Sequence, residues 1–315
     1  MSLAVAGVLF GIGLGLVLVA SEQLVESTIG VSHQAGLSAF VISVVFIGFD
    51  PENLAVGAVA SYDGTSGLAL GTIVGAAMVA LVFAFGATAV LAPMEFDETP
   101  RRILAVPLGA VLLLGGLALD GTLSRPDGVL LLIAYAAAVV LLLRWERRGL
   151  HVAPTEGVKE ELKDERSVGL RRSIVWFVAS LAGVIAGSEL LVRGARPLVQ
   201  ALGWTDTLFG MTILALVVSV EEVARELPAA LKGRPDITYG NVVGSALAFF
   251  CFNAGVIALV RPVPIDPITQ RFYIPVALGS VVVITLLMDT GRVRRWGGVL
   301  LLAIYAVFVG GGFLL

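Results

Sequence analysis

Two stretches of the sequence place carboxylates inside segments that are otherwise apolar enough to cross a membrane. The first is Gly48-Phe49-Asp50-Pro51-Glu52-Asn53, and the second, about 170 residues later, is Ser219-Val220-Glu221-Glu222. A carboxylate at the centre of a bilayer costs about 2.5–3.5 kcal/mol on insertion scales, so such a residue indicates a functional site. Carboxylate oxygens suit Ca²⁺, Na⁺ or a proton. We therefore predict a cation site with Glu52 and Glu222 as its main ligands and Asp50 and Glu221 as further ligands.

Pro51 predicts an interruption of the helix that carries the first stretch, because a proline in mid-helix removes a backbone hydrogen bond and clashes with the preceding turn. Interrupted helices expose carbonyls and helix ends, from which membrane transporters build cation sites. Asp50 and Glu52 point in different directions on an unbroken helix, so only a break lets both face one site. Glu221 stands where the first half has Pro51, and the second half is therefore predicted to lack this kink. A purely structural kink is the alternative.

Two other polar side chains belong to the same prediction. Ser245 is a candidate ligand, and it could equally make a hydrogen bond between helices. Arg225 lies one helical turn beyond Glu221 and Glu222, within reach of an ion pair. It is either a structural counter-ion or a tethered cation that competes with the transported ion.

The composition shows the kind of protein that must position these residues. The 315 residues are 57% hydrophobic and only 14% charged, whereas soluble domains carry about 25% charged residues. The chain is therefore predicted to be an all-α membrane protein in contact with the lipid bilayer. Its net charge of −3 gives no reason to expect a nucleic-acid partner. The single cysteine excludes an internal disulfide, and the two histidines match no metalloenzyme motif. We expect neither enzymatic activity nor a cofactor.

Ten apolar runs are long enough to span a bilayer, which takes about 20 residues. Most of the connections between them are short, but one charged connection at residues 147–171 is predicted to be a solvated linker. The predicted spans are 3–21, 37–61, 67–91, 102–119, 128–146, 172–194, 206–231, 236–260, 271–289 and 297–315.

The two halves of the chain, residues 1–146 and 172–315, are predicted to be copies of one five-helix unit. Gly71-Thr72-Ile73-Val74-Gly75 matches Gly240-Asn241-Val242-Val243-Gly244, and four other segments match at nearly the same offset. Each Gly-x-x-x-Gly element is typical of closely packed membrane helices. Because five spans is an odd number, the second copy enters the membrane from the opposite side. Inverted repeats of this kind are typical of secondary transporters with a site at the repeat interface.

Lysine and arginine in the loops predict the orientation of the chain. If both termini are outside, fifteen of the 21 basic residues fall in inner loops and five in outer loops. We therefore predict extracellular termini and a cytoplasmic central linker in the plasma membrane.

These motifs together resemble the cation/calcium exchanger superfamily, typified by prokaryotic sodium/calcium exchangers. The family pattern is Gly-Thr-Ser-x-Pro-Glu, followed by Gly-Asn-x-x-Gly-Ser with an Asn or Asp four residues after the serine. Residues 236–245 fit the second element, and Pro51-Glu52 fits the end of the first. The resemblance implies that Glu52 and Glu222 take the places of the family's two ion-binding glutamates, with Ser219 and Ser245 as auxiliary ligands. It also implies that spans 1 and 6 slide across the remaining bundle.

The sequence departs from the family pattern at several ligand positions. Gly48-Phe49-Asp50 replaces Thr-Ser-x, Ala76 and Ala80 replace a serine and an asparagine, and Phe249 replaces an acidic or amide ligand. A site with fewer oxygens should hold fewer ions. The leading hypothesis is a secondary active antiporter that exchanges Ca²⁺ or another cation for Na⁺ or H⁺. The sequence is compatible with a monomeric protein. The alternative is a degenerate, non-transporting homologue that binds or senses cations.

Overall fold

The computed structural model describes residues 1–34, 50–96, 101–146, 170–219 and 235–315, together with Glu222, Leu227, Ala230 and Leu231. These residues form helices, four two-residue strands and the turns that join them. The helices are α1 (Leu3–Gln34), α2 (Pro51–Tyr62), α3 (Ser66–Leu91), α4 (Arg101–Asp120), α5 (Arg125–Glu146), α6 (Leu170–Leu202), α7 (Asp206–Val218), α8 (235–260), α9 (Thr269–Asp289) and α10 (Arg295–Leu314). Eight of these described helices are long and apolar enough to cross a membrane, and the protein is an integral membrane protein.

The helices α3 and α8 lie at the centre of the bundle. In their most apolar windows 94% and 83% of the residues are buried, whereas the corresponding share is 22% in α1, α5 and α10. The long helices α1 and α6 pack along each other, and α2 packs against α6 and the end of α8. The remaining close pairs are α3 with α10, α5 with α8 and α4 with α9. Residues on α2, α3 and α8 are therefore enclosed by other helices.

Several of the helices contain π-helical segments, in which the backbone turn widens by one residue. Two of them lie at matching places in the two halves, Val79–Ala84 in α3 and Ala248–Asn253 in α8. A further segment, Gly71–Gly75, lies opposite Gly210–Leu214 of α7. Such segments are rare and are frequent at functional sites. These four lie in the two central helices or at the crossing of α3 with α7, and a further one, Thr269–Tyr273, begins α9.

The four strands join the two halves of the chain. Strand β1 (Met94–Glu95) pairs antiparallel with β4 (Arg292–Val293), and β2 (Thr122–Leu123) pairs antiparallel with β3 (Val263–Pro264). Gly121 and Gly291 lead into β2 and β4 with φ of 84° and 75°. Glycine adopts this left-handed backbone without the steric cost that a Cβ would bring.

The helix bounds differ from the predicted spans in three places. Helices α1 and α6 are 32 and 33 residues long, which is about 48 Å at 1.5 Å per residue and more than the ~30 Å of a hydrocarbon core. Glu22 and Glu189 therefore lie within these helices, on their exposed sides, and not near helix ends.

The third difference concerns the interruptions. The described part of the predicted span 37–61 is helical only from Pro51, and residues 37–49 lie outside the described residues. The predicted span 206–231 is helical to Val218, and Ser219 then leaves the helix with φ −104° and ψ 18°. The second half has no proline kink at this place, but its helix nevertheless ends at Val218, an interruption that the sequence pattern did not indicate.

Candidate functional site

The first interruption is formed by Asp50 and Pro51 at the start of α2. Asp50 is the N-cap residue, and its Oδ1 accepts a hydrogen bond of 2.8 Å from the backbone N–H of Asn53. Pro51 is the first helical residue, where its missing N–H costs nothing and its fixed φ suits the helix. The interruption is therefore the capped start of a regular helix. It directs the N-terminal end of α2 into the protein, with Asp50, Glu52 and Asn53 at most 3% exposed.

Glu52 lies in the first turn of α2 and is 1% exposed. A negative charge in this turn interacts favourably with the helix dipole, which lowers the cost of keeping the carboxylate ionised away from water. The further predicted ligand Glu221 lies outside the described residues, as does Arg225.

The second interruption places Glu222 in an equally buried position. Its backbone N–H donates to the Ser219 carbonyl over 3.2 Å, and its side chain is 1% exposed. The Asn241 amide, in the Gly-Asn-x-x-Gly-Ser element of α8, donates to Glu222 Oε2 over 3.3 Å. The asparagine of that element thus has a physical role here, because its amide holds the Glu222 carboxylate.

A direct hydrogen bond joins the two interruptions. Asn53 Nδ2 donates to Ser219 Oγ over 2.9 Å and to Asp50 Oδ2 over 2.7 Å. Glu52 immediately precedes Asn53, and Glu222 follows Ser219 by three residues. The predicted residues Asp50, Glu52, Ser219 and Glu222 are therefore brought to one buried region at the contact of the two halves.

Asn53 is the residue of this region that the sequence interpretation overlooked. Its signal was a polar side chain directly after Pro51-Glu52 in an apolar run, at a position where the second half has Val223. The bond to Ser219 connects residues 166 apart in sequence, and no local pattern reveals it.

Ser245 lies one helical turn after Asn241 on α8, and so on the same face as the side chain that contacts Glu222. It is 0% exposed, and its Oγ makes no hydrogen bond to the described residues. Ala76, Ala80 and Phe249, which replace oxygen-bearing residues of the family pattern, are also 0% exposed. The interior of the two central helices is thus apolar where the family pattern is polar.

Buried carboxylates at interruptions of membrane helices, surrounded by amide and hydroxyl groups, define an ion-transporter type of site. The chain belongs to the sodium/calcium exchanger protein family, whose profile matches residues 5–144 and 172–313.

The chain is also similar over most of its length to curated relatives and to a solved structure. The membrane protein MJ0091 of Methanocaldococcus jannaschii is 28% identical over 302 residues, which are 95% of each chain. The sodium/calcium exchanger MaX1 of Methanosarcina acetivorans is 25% identical in an alignment of 334 positions, gaps included, which covers 95% of each chain. The solved structure of the sodium-calcium exchanger NCX_Mj, soaked with 100 mM Na⁺ and 10 mM Sr²⁺, matches with a TM-score of 0.63 and 24% identity. This match covers 98% of the present chain and 99% of NCX_Mj, and it shows that the two folds are alike.

Proposed function

We propose that the protein is a secondary active cation antiporter that exchanges Ca²⁺ or another cation for Na⁺ or H⁺ by alternating access. The observation that carries this proposal is the placement of Glu52 and Glu222. Each is 1% exposed and lies at a helix interruption, and the Asn53–Ser219 hydrogen bond joins the two interruptions. Membership of the exchanger family and the name of the relative MaX1 support the same function.

The architecture that we propose for it is two inverted five-helix repeats, residues 1–146 and 172–315. The β1–β4 and β2–β3 pairs support this, because β1 corresponds to β3 and β2 to β4 at the offset of the repeat, so each pair is the counterpart of the other. The matching π-helical segments of α3 and α8 support it as well. The loop charges favour extracellular termini, with residues 147–171 on the cytoplasmic side of the plasma membrane.

In this mechanism the two glutamates neutralise the cation while the surrounding groups fix their positions. Asn241 holds one oxygen of Glu222, and Ser219 and Ser245 offer hydroxyl oxygens. A buried carboxylate can also take up a proton because a low dielectric disfavours its charge. H⁺ is therefore a chemically reasonable counter-ion.

The test is cation flux in proteoliposomes with the wild type and the Glu52→Gln and Glu222→Gln variants. Glutamine keeps the shape of the side chain and removes its charge, so each variant should fold and reduce ⁴⁵Ca²⁺ and ²²Na⁺ exchange to background. Opposing Na⁺, Ca²⁺ and pH gradients identify the coupled pair. The matched control is Glu95→Gln, since Glu95 is an exposed acid whose contact with Arg292 spans 3.6 Å on the surface.

Exchange at wild-type rates in both glutamine variants would refute the assigned roles. Cation binding by the wild type without flux under any gradient would favour the non-transporting alternative.

A further inference from the structure

The amide of Asn53 is held so firmly that the direction of its carbonyl oxygen is determined. A side-chain amide has two hydrogens to donate. One is donated to Asp50 Oδ2 over 2.7 Å and the other to Ser219 Oγ over 2.9 Å. The nitrogen therefore has no further hydrogen for a ligand, and the carbonyl oxygen is the group that remains.

The assignment of oxygen and nitrogen in this amide follows from its neighbours. Asp50 accepts the backbone N–H of Asn53 at its other oxygen over 2.8 Å, so the carboxylate faces the helix start as an acceptor. Turning the amide over would set its carbonyl oxygen against Asp50 Oδ2, acceptor against acceptor. The hydrogen-bond network thus fixes the orientation that the structure shows.

Asn53 Oδ1 makes no hydrogen bond to any of the described residues, although Asn53 is 0% exposed. Leaving a buried acceptor unsatisfied costs about 1–3 kcal/mol. This acceptor belongs to the residue that follows Glu52, and to the amide whose nitrogen links the two interruptions through Asp50 and Ser219. Neutral carbonyl oxygens of asparagine are ordinary ligands of hard cations.

We propose that Asn53 Oδ1 is a direct ligand of the transported cation and that Asp50 acts by holding the Asn53 amide in place. The proposal rests on the proposed function and restricts the transported ion to a metal cation. A neutral amide oxygen coordinates a metal cation but does not retain a proton, so Asn53 serves a Na⁺-like or Ca²⁺-like ion. It supplies an oxygen in a region where Ala76, Ala80 and Phe249 supply none.

The experiment is equilibrium binding of ²²Na⁺ and ⁴⁵Ca²⁺ to the purified protein, combined with flux in proteoliposomes. For Asn53→Ala we expect the dissociation constant of the bound metal ion to rise at least about tenfold. The double variant Asp50→Asn/Asn53→Asp exchanges the two side chains, so that a donor again faces an acceptor and the total charge is unchanged; it should bind and should shift the ratio of Ca²⁺ to Na⁺ affinity toward Ca²⁺, because the charge now lies on the ligand. A merely structural role of Asn53 would not change this ratio. Asp50→Asn keeps one oxygen for the backbone N–H of Asn53 but turns a donor toward Asn53 Nδ2, so the amide loses its hold and affinity should also fall, though less than in Asn53→Ala.

The matched control is Ser61→Ala on the same helix. Ser61 Oγ is buried and donates to the Ile257 and Arg261 carbonyls at the far end of α2, about 12 Å from Asn53 at 1.5 Å per residue. Its removal deletes a buried hydrogen bond without touching the site, and we expect affinity within twofold of the wild type.

The outcomes separate this inference from the proposed function. Wild-type affinity in Asn53→Ala, or an equal loss in Ser61→Ala, overturns the role of Asn53 while antiport by the wild type stands. If the wild type binds a metal ion without exchanging it and Asn53→Ala weakens binding, antiport fails and the ligand assignment stands. A wild type that binds no metal ion overturns both. If Asn53→Ala does not fold, an unchanged affinity ratio in Asp50→Asn/Asn53→Asp overturns the assignment.

Discussion

The crossing of α3 with α7 gives a prediction whose size follows from the structure. Gly71 of α3 lies against the backbone of Gly210 of α7, and a Cβ added at Gly71 would be 2.5 Å from the Gly210 Cα. Carbon atoms pack best at about 3.5–4.0 Å, so the helices would have to separate by about 1 Å or more. Overpacking of this kind costs about 1–3 kcal/mol. We therefore expect Gly71→Ala to lower the free energy of unfolding by that amount.

Gly109 of α4 is the matched control. It is also in mid-helix, but an added Cβ there meets no atom within 4 Å. Alanine in place of a helical glycine is favourable by about 0.5–1 kcal/mol, so Gly109→Ala should stabilise the protein slightly. The two substitutions are chemically the same, and only the space around the added methyl group gives their effects opposite signs.

Thermal unfolding in one detergent measures both variants. A change of 1 kcal/mol shifts Tm by about 2–4 °C in proteins of about 150–250 residues and by less in longer chains, so Gly71→Ala should lower Tm by a few degrees. It should also reduce flux, because α7 ends next to Ser219 and a displaced α7 stretches the contact with Asn53. A Tm for Gly71→Ala at or above that of the wild type would refute the argument from close packing.

Three further substitutions test other parts of the structure by thermal unfolding. Asp50→Ala should cost about 0.5–2 kcal/mol through the lost cap, whereas Asp50→Asn should cost less because asparagine also caps helices; equal losses would contradict the capping role. Arg196→Gln removes a contact of 3.4 Å with Asp63 and should change stability by at most about 1 kcal/mol, because such partly exposed pairs contribute little. Gly121→Ala should cost about 1–2 kcal/mol, because Gly121 has a φ of 84° and a Cβ is unfavourable in this left-handed conformation. Gly121→Asn should cost less, because asparagine adopts it more readily. An alanine variant as stable as the wild type would contradict this.

The helical bundle was predictable from the sequence because long apolar runs have few other folds in a membrane. The lengths of α1 and α6 were not predictable in this way. Hydropathy detects the lipid-contacting part of a helix, and a polar side chain ends the pattern without ending the helix. Glu189 of α6 illustrates this, because it pairs with Arg193 one turn later on the exposed face and the helix continues.

The two interruptions differ in how far the sequence indicates them. Pro51 indicates the first, since proline is tolerated at a helix start and not in a helix interior. No proline or glycine lies at Ser219-Val220-Glu221-Glu222, and the second interruption was therefore missed. The hydroxyl of Ser219 accepts the Asn53 amide, which is a tertiary contact. A break supported by a partner in the other half leaves no local pattern in its own sequence.

The same limit applies to the site. Residue type and spacing were sufficient to select Glu52 and Glu222, because a buried acid is expensive wherever it occurs in a membrane span. Asn53 does not stand out in the same way, because a single amide is easily accommodated in a membrane helix and its presence does not indicate a functional site. Its importance arises only from geometry, because both amide hydrogens are bound and one buried oxygen is left.

The number of available oxygens bears on which ion this site suits. Ca²⁺ takes about six to eight oxygen ligands. Under our assignments, the carboxylates of Glu52 and Glu222 can give two oxygens each, and Asn53, Ser219 and Ser245 one each, which makes seven. One Ca²⁺ could therefore be bound without ligands at Ala76, Ala80 or Phe249. Several Na⁺ ions held at once would have to share these oxygens. The apolar substitutions should thus reduce the number of ions held together more than the affinity for a single ion.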